Sequence, residues 1–141
     1  MSMFIDIEDY DASVHPEILA AVTRQDASVV EICEDRAVDE MKSYLGTRYD
    51  CDAIFAARGQ ARNNLILMMA IDISVYHIFC IHNPQKLSQM RVDRYNRAVE
   101  WLKAVAASKI SIPDAPLLPE DTRRQNAVSL TSSNRKREQH L

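Results

Sequence analysis

Glycine is almost absent from this sequence: its 141 residues contain only Gly46 and Gly59. Walker loops and dinucleotide-binding fingerprints need closely spaced glycines, so both of these phosphate-binding motifs are excluded. The scarcity also disfavours β-sandwiches and barrels, whose many tight turns use residues with positive φ. Apolar residues make up 47% of the chain and charged residues 26%, which is ordinary for a globular domain. The composition therefore predicts an all-α fold and names no function.

Cysteine is also scarce, and Cys33, Cys51 and Cys80 form an odd, widely spaced set without a CxxC motif. Residues 1–11 are acidic, unlike the basic and then apolar start of a secretory signal peptide. We therefore expect reduced thiols in a cytosol.

One long apolar run, residues 65–81, raises the question of a membrane span. Its 17 residues fall short of the ~20 that a spanning helix needs, and Asp72 lies at its middle. A charge at the centre of a bilayer costs several kcal/mol. We expect instead a helix buried on most sides at the centre of a soluble bundle, without membrane contact.

Apolar residues at three- and four-residue steps predict a compact bundle of four main helices. Caps and helix breakers indicate where each helix begins and ends. The first begins at Pro16, the second runs from Ala27 to Leu45 with Asp26 as its cap, the third from about Arg62 to His82, and the last from about Leu87 to Ser108.

Two segments lack this periodicity. Residues 47–61 are predicted to form a long loop between the second and third helices, and its Tyr49, Ile54 and Phe55 should pack on another surface. Beyond residue 112, three prolines and a polar, basic sequence predict an extended or disordered tail. We therefore predict a helical domain over residues 1–112 and a flexible tail over residues 113–141.

Charge is divided along the chain, although the net charge is only −3. Residues 1–61 hold 13 acids and 5 bases, residues 62–112 hold 3 acids and 7 bases, and residues 113–141 hold 4 acids and 5 bases. An acidic half joined to a basic half suits head-to-tail self-association, because the negative face of one subunit can meet the positive face of the next. The alternative, in which the two halves neutralise each other within one molecule, stays open.

Asp72 gives the most specific prediction of any single residue, because an ionised carboxylate in an apolar helix needs a cation or several hydrogen-bond donors. Arg48 follows directly after the second helix and is the nearest candidate in the sequence. We predict an Asp72–Arg48 ion pair with a structural role, pinning the long loop to the core.

The groups that could bind a metal are incomplete. His77, Cys80 and His82 lie close together on the third helix, but a zinc site would need a fourth ligand in a non-standard arrangement. Glu31 and Glu34 make half of the carboxylate set of all-α, magnesium-dependent nucleotide pyrophosphatases, whose second half is missing from the following helix.

Catalysis and specific DNA recognition also lack support. The sequence places no serine or cysteine in a glycine-framed turn. We therefore predict no catalytic, cofactor-binding or metal-binding residue, with the pyrophosphatase-like enzyme kept as an alternative. The bases of the last helix and of residues 135–137 indicate at most non-specific contact with DNA.

Four motifs in register resemble those of a known family. Residues 41–50, MKSYLGTRYD, resemble its YL-x-x-RYD helix end, and residues 19–26 its entry into the second helix. Residues 71–76, IDISVY, resemble the family's central helix. Residues 94–102 together with 108–113 resemble the last motif of the family pattern. This is a family of small helical proteins of Mu-like prophages, similar to the head–tail connector (neck or head-completion) proteins of long-tailed phages. The chain departs from the pattern with Ser108, where a glycine is usual, and with its long basic tail.

The resemblance implies a structural virion protein, not an enzyme: one helical subunit of a ring that docks beneath the portal and links head to tail. Its partners would be portal or adaptor and tail proteins, with DNA in the channel, and it would occupy the host cytoplasm during assembly. A ring that forms only on its docking partner is compatible with a monomer in solution. A small helical protein-binding module is a further interpretation.

A ring of heterologous contacts needs two different, complementary patches on each subunit. We predict that an acidic face meets the basic face of a neighbour while three loop residues reach across. These interface residues are the acids Glu31, Asp35 and Asp39, the bases Arg91, Arg94 and Arg97, and the loop residues Tyr49, Ile54 and Phe55.

Overall fold

The structure is a computed structural model that describes residues 4–14, 16–23 and 26–126. Within these residues it contains no β-strand, only an isolated antiparallel bridge between Tyr49 and Leu117. The predicted all-α bundle of four main helices is confirmed. The α-helices are α1 (Pro16–Thr23), α2 (Ala27–Leu45), α3 (Cys51–Ala56), α4 (Asn64–His82) and α5 (Gln89–Ala106), with short 3₁₀ helices at Ile7–Ala12, Gly59–Ala61 and Pro84–Lys86.

Short polar side chains fix where the main helices begin. The Asp26 carboxylate accepts a hydrogen bond from the Ser28 backbone N–H (3.0 Å), so α2 starts at Ala27 as predicted. Asn63 caps α4 by accepting from the N–H groups of Leu65 and Ile66, at 3.0 and 3.1 Å. Because Asn63 is the cap, α4 begins at Asn64, two residues after the predicted start.

The central helix is α4, which packs against α1, α2 and α5. Its mean hydropathy of 1.8 over an 18-residue window makes it the one helix in the described ranges that could span a membrane by length and composition, yet 56% of that window is buried inside the protein. The Asp72–Arg97 and Tyr76–Tyr95 contacts show that α5 runs antiparallel to α4. We conclude that α4 is the core helix of the bundle.

The segment 47–61 is not the long loop that we predicted, because α3 and the 3₁₀ helix Gly59–Ala61 lie inside it. Tyr49, Ile54 and Phe55 belong to the core of the same chain, with exposed fractions of 2%, 4% and 7%. The Phe55 ring meets Phe4 edge to face, with centroids 5.0 Å apart. Since their own chain buries all three side chains, the prediction that they reach a neighbouring subunit is wrong.

Residues 113–126 are docked on the bundle, although we predicted an extended or disordered tail from residue 113. The backbone N–H of Asp50 donates to Pro116 O (2.9 Å), and that of Leu118 donates to Arg48 O (3.0 Å). Residues 120–126 are helical, and the Asn126 amide donates to Thr47 O at 2.9 Å. This segment thus supplies partners for the Asp50 N–H and for the carbonyls of Thr47 and Arg48, which lie beyond the end of α2. Residues 127–141, including the basic stretch 135–137, lie outside the described residues.

Ser108 ends α5 in the left-handed region, with φ 62°. Its N–H donates to Val105 O (3.0 Å), and the N–H of Lys109 donates to Ala104 O (2.9 Å). These two bonds form a Schellman motif, in which this position usually holds glycine. A helix stop is therefore made here without glycine, at the cost of a strained backbone.

Candidate functional site

The acids predicted to form an interface lie on one side of α2. Glu31, Asp35 and Asp39 are spaced four residues apart, so their side chains share a face. Asp39 is exposed, while Glu31 and Asp35 are half-buried. Residues buried in the core, such as Cys33 and Ala37, lie on the other side of the helix. We call Glu31, Asp35 and Asp39 the acidic row.

The predicted basic face of α5 is partly used inside the molecule. Arg91 donates to Ser13 O (2.5 Å) and lies 3.1 Å from Ser13 Oγ, so it ties α5 to the N-terminal segment. Burial, followed by the charge of Arg94, lowers the pKa of Arg91. Arg94 is half-buried, and 53% of the Arg97 side chain is exposed. We call Arg94 and Arg97 the basic pair; Arg97 also has a partner within the molecule but is still half-exposed.

Asp72 does not pair with Arg48, as we had predicted, but with Arg97. Arg97 donates to Asp72 Oδ2 at 2.6 Å, and the carboxylate side chain is only 5% exposed. The antiparallel packing of α5 on α4 places Arg97 opposite Asp72. The guanidinium stays half in water, which reduces the cost of desolvating it.

Arg48 instead holds the end of α5. It donates to the backbone carbonyls of Val105 (2.6 Å) and Ile110 (3.1 Å) and contacts Ser111 Oγ at 3.4 Å. A cation at a helix C-terminus satisfies free carbonyls and interacts well with the helix dipole. Arg48 thus pins the segment after α2 to the core, as predicted, but through α5 rather than through Asp72.

A buried polar cluster that we did not predict lies between α2, α4 and the N-terminal 3₁₀ helix. The Tyr10 hydroxyl donates to Glu34 Oε2 (3.0 Å) and lies 3.0 Å from Ser74 Oγ. Glu34 is only 6% exposed. Burial raises the pKa of Glu34 to about 7, and the charges of Asp35 and Glu31 add to the rise while the Tyr10 hydrogen bond opposes it.

A second unpredicted cluster is centred on Glu40. The Tyr95 hydroxyl donates to Glu40 Oε1 (2.6 Å), and His77 Nε2 lies 3.2 Å from Glu40 Oε2. The ring of Tyr76 stacks on Tyr95 with centroids 4.0 Å apart. Burial and the hydrogen bond to Glu40 raise the pKa of Tyr95. This cluster joins α2, α4 and α5 and leaves Glu40 outside the acidic row.

Three side chains of the kinds that bind metals, Glu34, Asp72 and Cys80, have partners within the molecule. Glu34 bonds to Tyr10, Asp72 to Arg97, and a hydrogen bond between Cys80 and Tyr76 raises the pKa of Tyr76. No group of three His, Cys, Asp or Glu side chains in the described part of the chain is placed to hold a metal ion.

The comparison with protein families gives a match that covers most of the chain. The family described as Bacteriophage Mu, Gp36 matches residues 6–131. The chain belongs to this family. The match contains all four motifs and extends through the docked segment 113–126, so in this Gp36 family member the matched region does not stop at residue 112. Neither the curated proteins nor the solved structures contain a match to the chain.

Proposed function

We propose that this phage protein is a structural, non-catalytic subunit of the virion: a head–tail connector (neck or head-completion) subunit that oligomerises beneath the portal. Membership of the Gp36 family supports a phage protein. The observation that carries the connector role is the pair of oppositely charged surfaces on two different helices: the acidic row on α2 and the basic pair on α5. Heterologous contacts between such patches close a ring when the rotation between subunits permits it.

The basic pair lies in a groove that suits a protein partner. The groove has a volume of about 570 Å³, and the exposed Met68 lies in it. Its charged lining consists of the bases Arg94 and Arg97 and the acids Glu8, Asp9 and Asp72, of which Asp9 is paired with Arg62 and Asp72 with Arg97. Arg97 uses one N–H toward Asp72, and a guanidinium has five, so donors remain for a carboxylate of a neighbour. An apolar centre beside charged groups is the usual anatomy of a protein interface.

The acidic row carries a matching apolar group. Ile32, next to Glu31, is 51% exposed. In the proposed contact, Ile32 of one subunit packs near Met68 of the next, while the acidic row faces the basic pair. Ring partners would be other copies of the chain, and the ring would contact portal or adaptor proteins on one side and tail proteins on the other. Bases facing the channel would contact DNA without sequence preference.

Charge reversal and its complementation test the contact. Asp39→Lys in one variant and Arg94→Glu in another should each reduce self-association, measured by sedimentation velocity and by counting rings in electron micrographs. Mixing the two variants should restore it, because each reversed face then meets a complementary one. Lys103→Glu is the matched control, because it reverses an exposed positive charge on α5 outside the basic pair, as Arg94→Glu does within it.

Association that is equal in all variants would overturn the proposed contact. The virion role is tested separately, by mass spectrometry of purified particles of the phage that encodes the chain. Absence from the particles would overturn it. Binding to one soluble host protein would then favour the binding module, and nucleotide hydrolysis lost in Glu31→Gln would favour the enzyme.

A further inference from the structure

An apolar groove lies at the start of α2, one turn before Glu31 of the acidic row. It has a volume of about 230 Å³ and is formed by the N-terminal 3₁₀ helix, α1 and the first turns of α2. Ile7, at its edge, is 57% exposed. Two acids, Asp11 and Asp26, line the same groove, and Ala27 contributes to its floor. The groove thus offers an apolar surface with a negative rim.

The chain has a segment with the complementary chemistry. Residues 127–141 carry Val128 and Leu130 near their start, followed by Arg135, Lys136 and Arg137 with a single acid. Two apolar side chains followed by a cluster of bases match an apolar groove with an acidic rim.

Distance separates this groove from the Val128–Leu130 part of its own chain. Asn126 is held at Thr47, beyond the end of α2, whereas the groove lies at the start of that helix. The 19 residues of α2 span about 28 Å. Leu130 is four residues after Asn126, so it lies at most about 14 Å away. Within one molecule, the groove is in reach only of the far end of the segment, where Leu141 is the one apolar residue.

We propose that residues 127–141 of a neighbouring copy bind this groove, with Val128 and Leu130 on its apolar floor and the bases 135–137 against Asp11 and Asp26. This inference rests on the proposed self-assembly and names a second contact in it. A C-terminal arm reaching the next subunit makes a heterologous contact of the kind that a ring requires.

Full-length variants on each side of the contact test the proposal. The tail variant is Val128→Ser with Leu130→Ser. The groove variant is Ile7→Ser with Ala27→Gln, and because Ile7 and Ala27 are exposed, it should still fold. Each should weaken self-association by about tenfold or more, measured by sedimentation velocity over a wide concentration range. Leu117→Ser, which alters an exposed leucine outside the arm, is the matched control and should associate like the wild type.

A mixture of the two variants gives the decisive result. The intact arm of the groove variant can enter the intact groove of the tail variant, so native mass spectrometry should show heterodimers, with larger assemblies depleted. Unchanged association in both variants would overturn the proposal. So would a concentration-independent monomer in which Leu141→Ser and the groove variant both lower the Tm, because that result places the arm in its own groove through Leu141.

The test separates this inference from the proposed function. If the arm contact is wrong and the connector role is right, the tail and groove variants still form rings, whereas Asp39→Lys does not. If the connector role is wrong and the arm contact is right, the chain is absent from phage particles, yet the two variants still alter self-association in solution.

Discussion

Glu34 is expected to make the protein less stable as the pH rises from 5 to 8. The pKa of its carboxyl is about 7 in the folded chain, against the ordinary value of 4.5 that applies once the chain unfolds. Between these values the unfolded chain releases a proton that the folded chain keeps, so the free energy of unfolding falls with rising pH. The difference between these two pKa values corresponds to about 3 kcal/mol in the free energy of unfolding. Roughly 2–3 kcal/mol of this stabilisation is lost between pH 5 and pH 8.

Glu34→Gln isolates this contribution. The amide oxygen of glutamine can accept the same hydrogen bond from the Tyr10 hydroxyl, and it carries no charge to desolvate. The variant should be more stable than the wild type at pH 8 by about 2 kcal/mol, with a smaller difference at pH 5. Urea unfolding followed by circular dichroism at both pH values measures the difference.

Asp39→Asn is the control, because it removes an exposed carboxylate from the same helix. Its stability should follow the pH profile of the wild type. If the difference between wild type and Glu34→Gln is the same at pH 5 and pH 8, Glu34 does not titrate in this range and our account of the cluster is refuted.

Three further predictions concern single contacts, each measured by urea unfolding. Ser108→Gly should stabilise the protein by about 1 kcal/mol, because glycine adopts the left-handed conformation without strain, and equal or lower stability would contradict the helix-end assignment. Arg97→Ala should cost about 1–3 kcal/mol, and a double-mutant cycle with Asp72→Ala should show a coupling of about 1 kcal/mol or more. Arg48→Ala should cost about 2 kcal/mol by freeing carbonyls at the end of α5, and coupling of Arg48 to Asp72 beyond about 0.5 kcal/mol would contradict the structure.

The helices could be predicted because their signals are local. Asp26 is a good N-cap directly before an apolar period, and α2 runs over the predicted residues. The Asn83–Pro84 pair likewise marks the end of α4. A helix end depends on side chains one turn away, and these are visible in the sequence.

The partners of charged and aromatic residues could not be predicted, because they depend on how the helices pack. The position of Asp72 in an apolar helix predicts that it needs a cationic partner. The sequence does not show which cation this is, because only the antiparallel packing of α4 and α5 places Arg97 beside it. The aromatic side chains of Tyr49 and Phe55 predict burial. The sequence does not show whether they are buried in the core of their own chain or against a neighbouring subunit. Long-range packing decides both questions.

One missed residue did have a signal in the sequence. Glu34 lies four residues after Val30 and seven before Met41, on the apolar stripe of the second helix, whereas the acidic row lies off that stripe. Residue type alone places Glu34 with the other acids of the second helix. Its position on the helix predicts burial and hence a hydrogen-bond donor nearby, which the structure supplies as Tyr10.

The two interpretations of the divided charge are compatible, because different residues serve them. Arg62, from the basic part of the chain, lies 2.5 Å from Asp9 and 3.7 Å from Asp6 in the acidic part, so some neutralisation occurs within one molecule. Burial acts to raise the pKa of Asp9, but the hydrogen bonds from Arg62 and from the Asp6 N–H, together with the charge of Arg62, outweigh it and lower that pKa. The acidic row and the basic pair lie at the surface, where Asp39 and Arg97 are exposed. Self-association through so few exposed charges should weaken with added salt, whereas an arm with apolar anchors in a neighbour's groove would retain most of its binding.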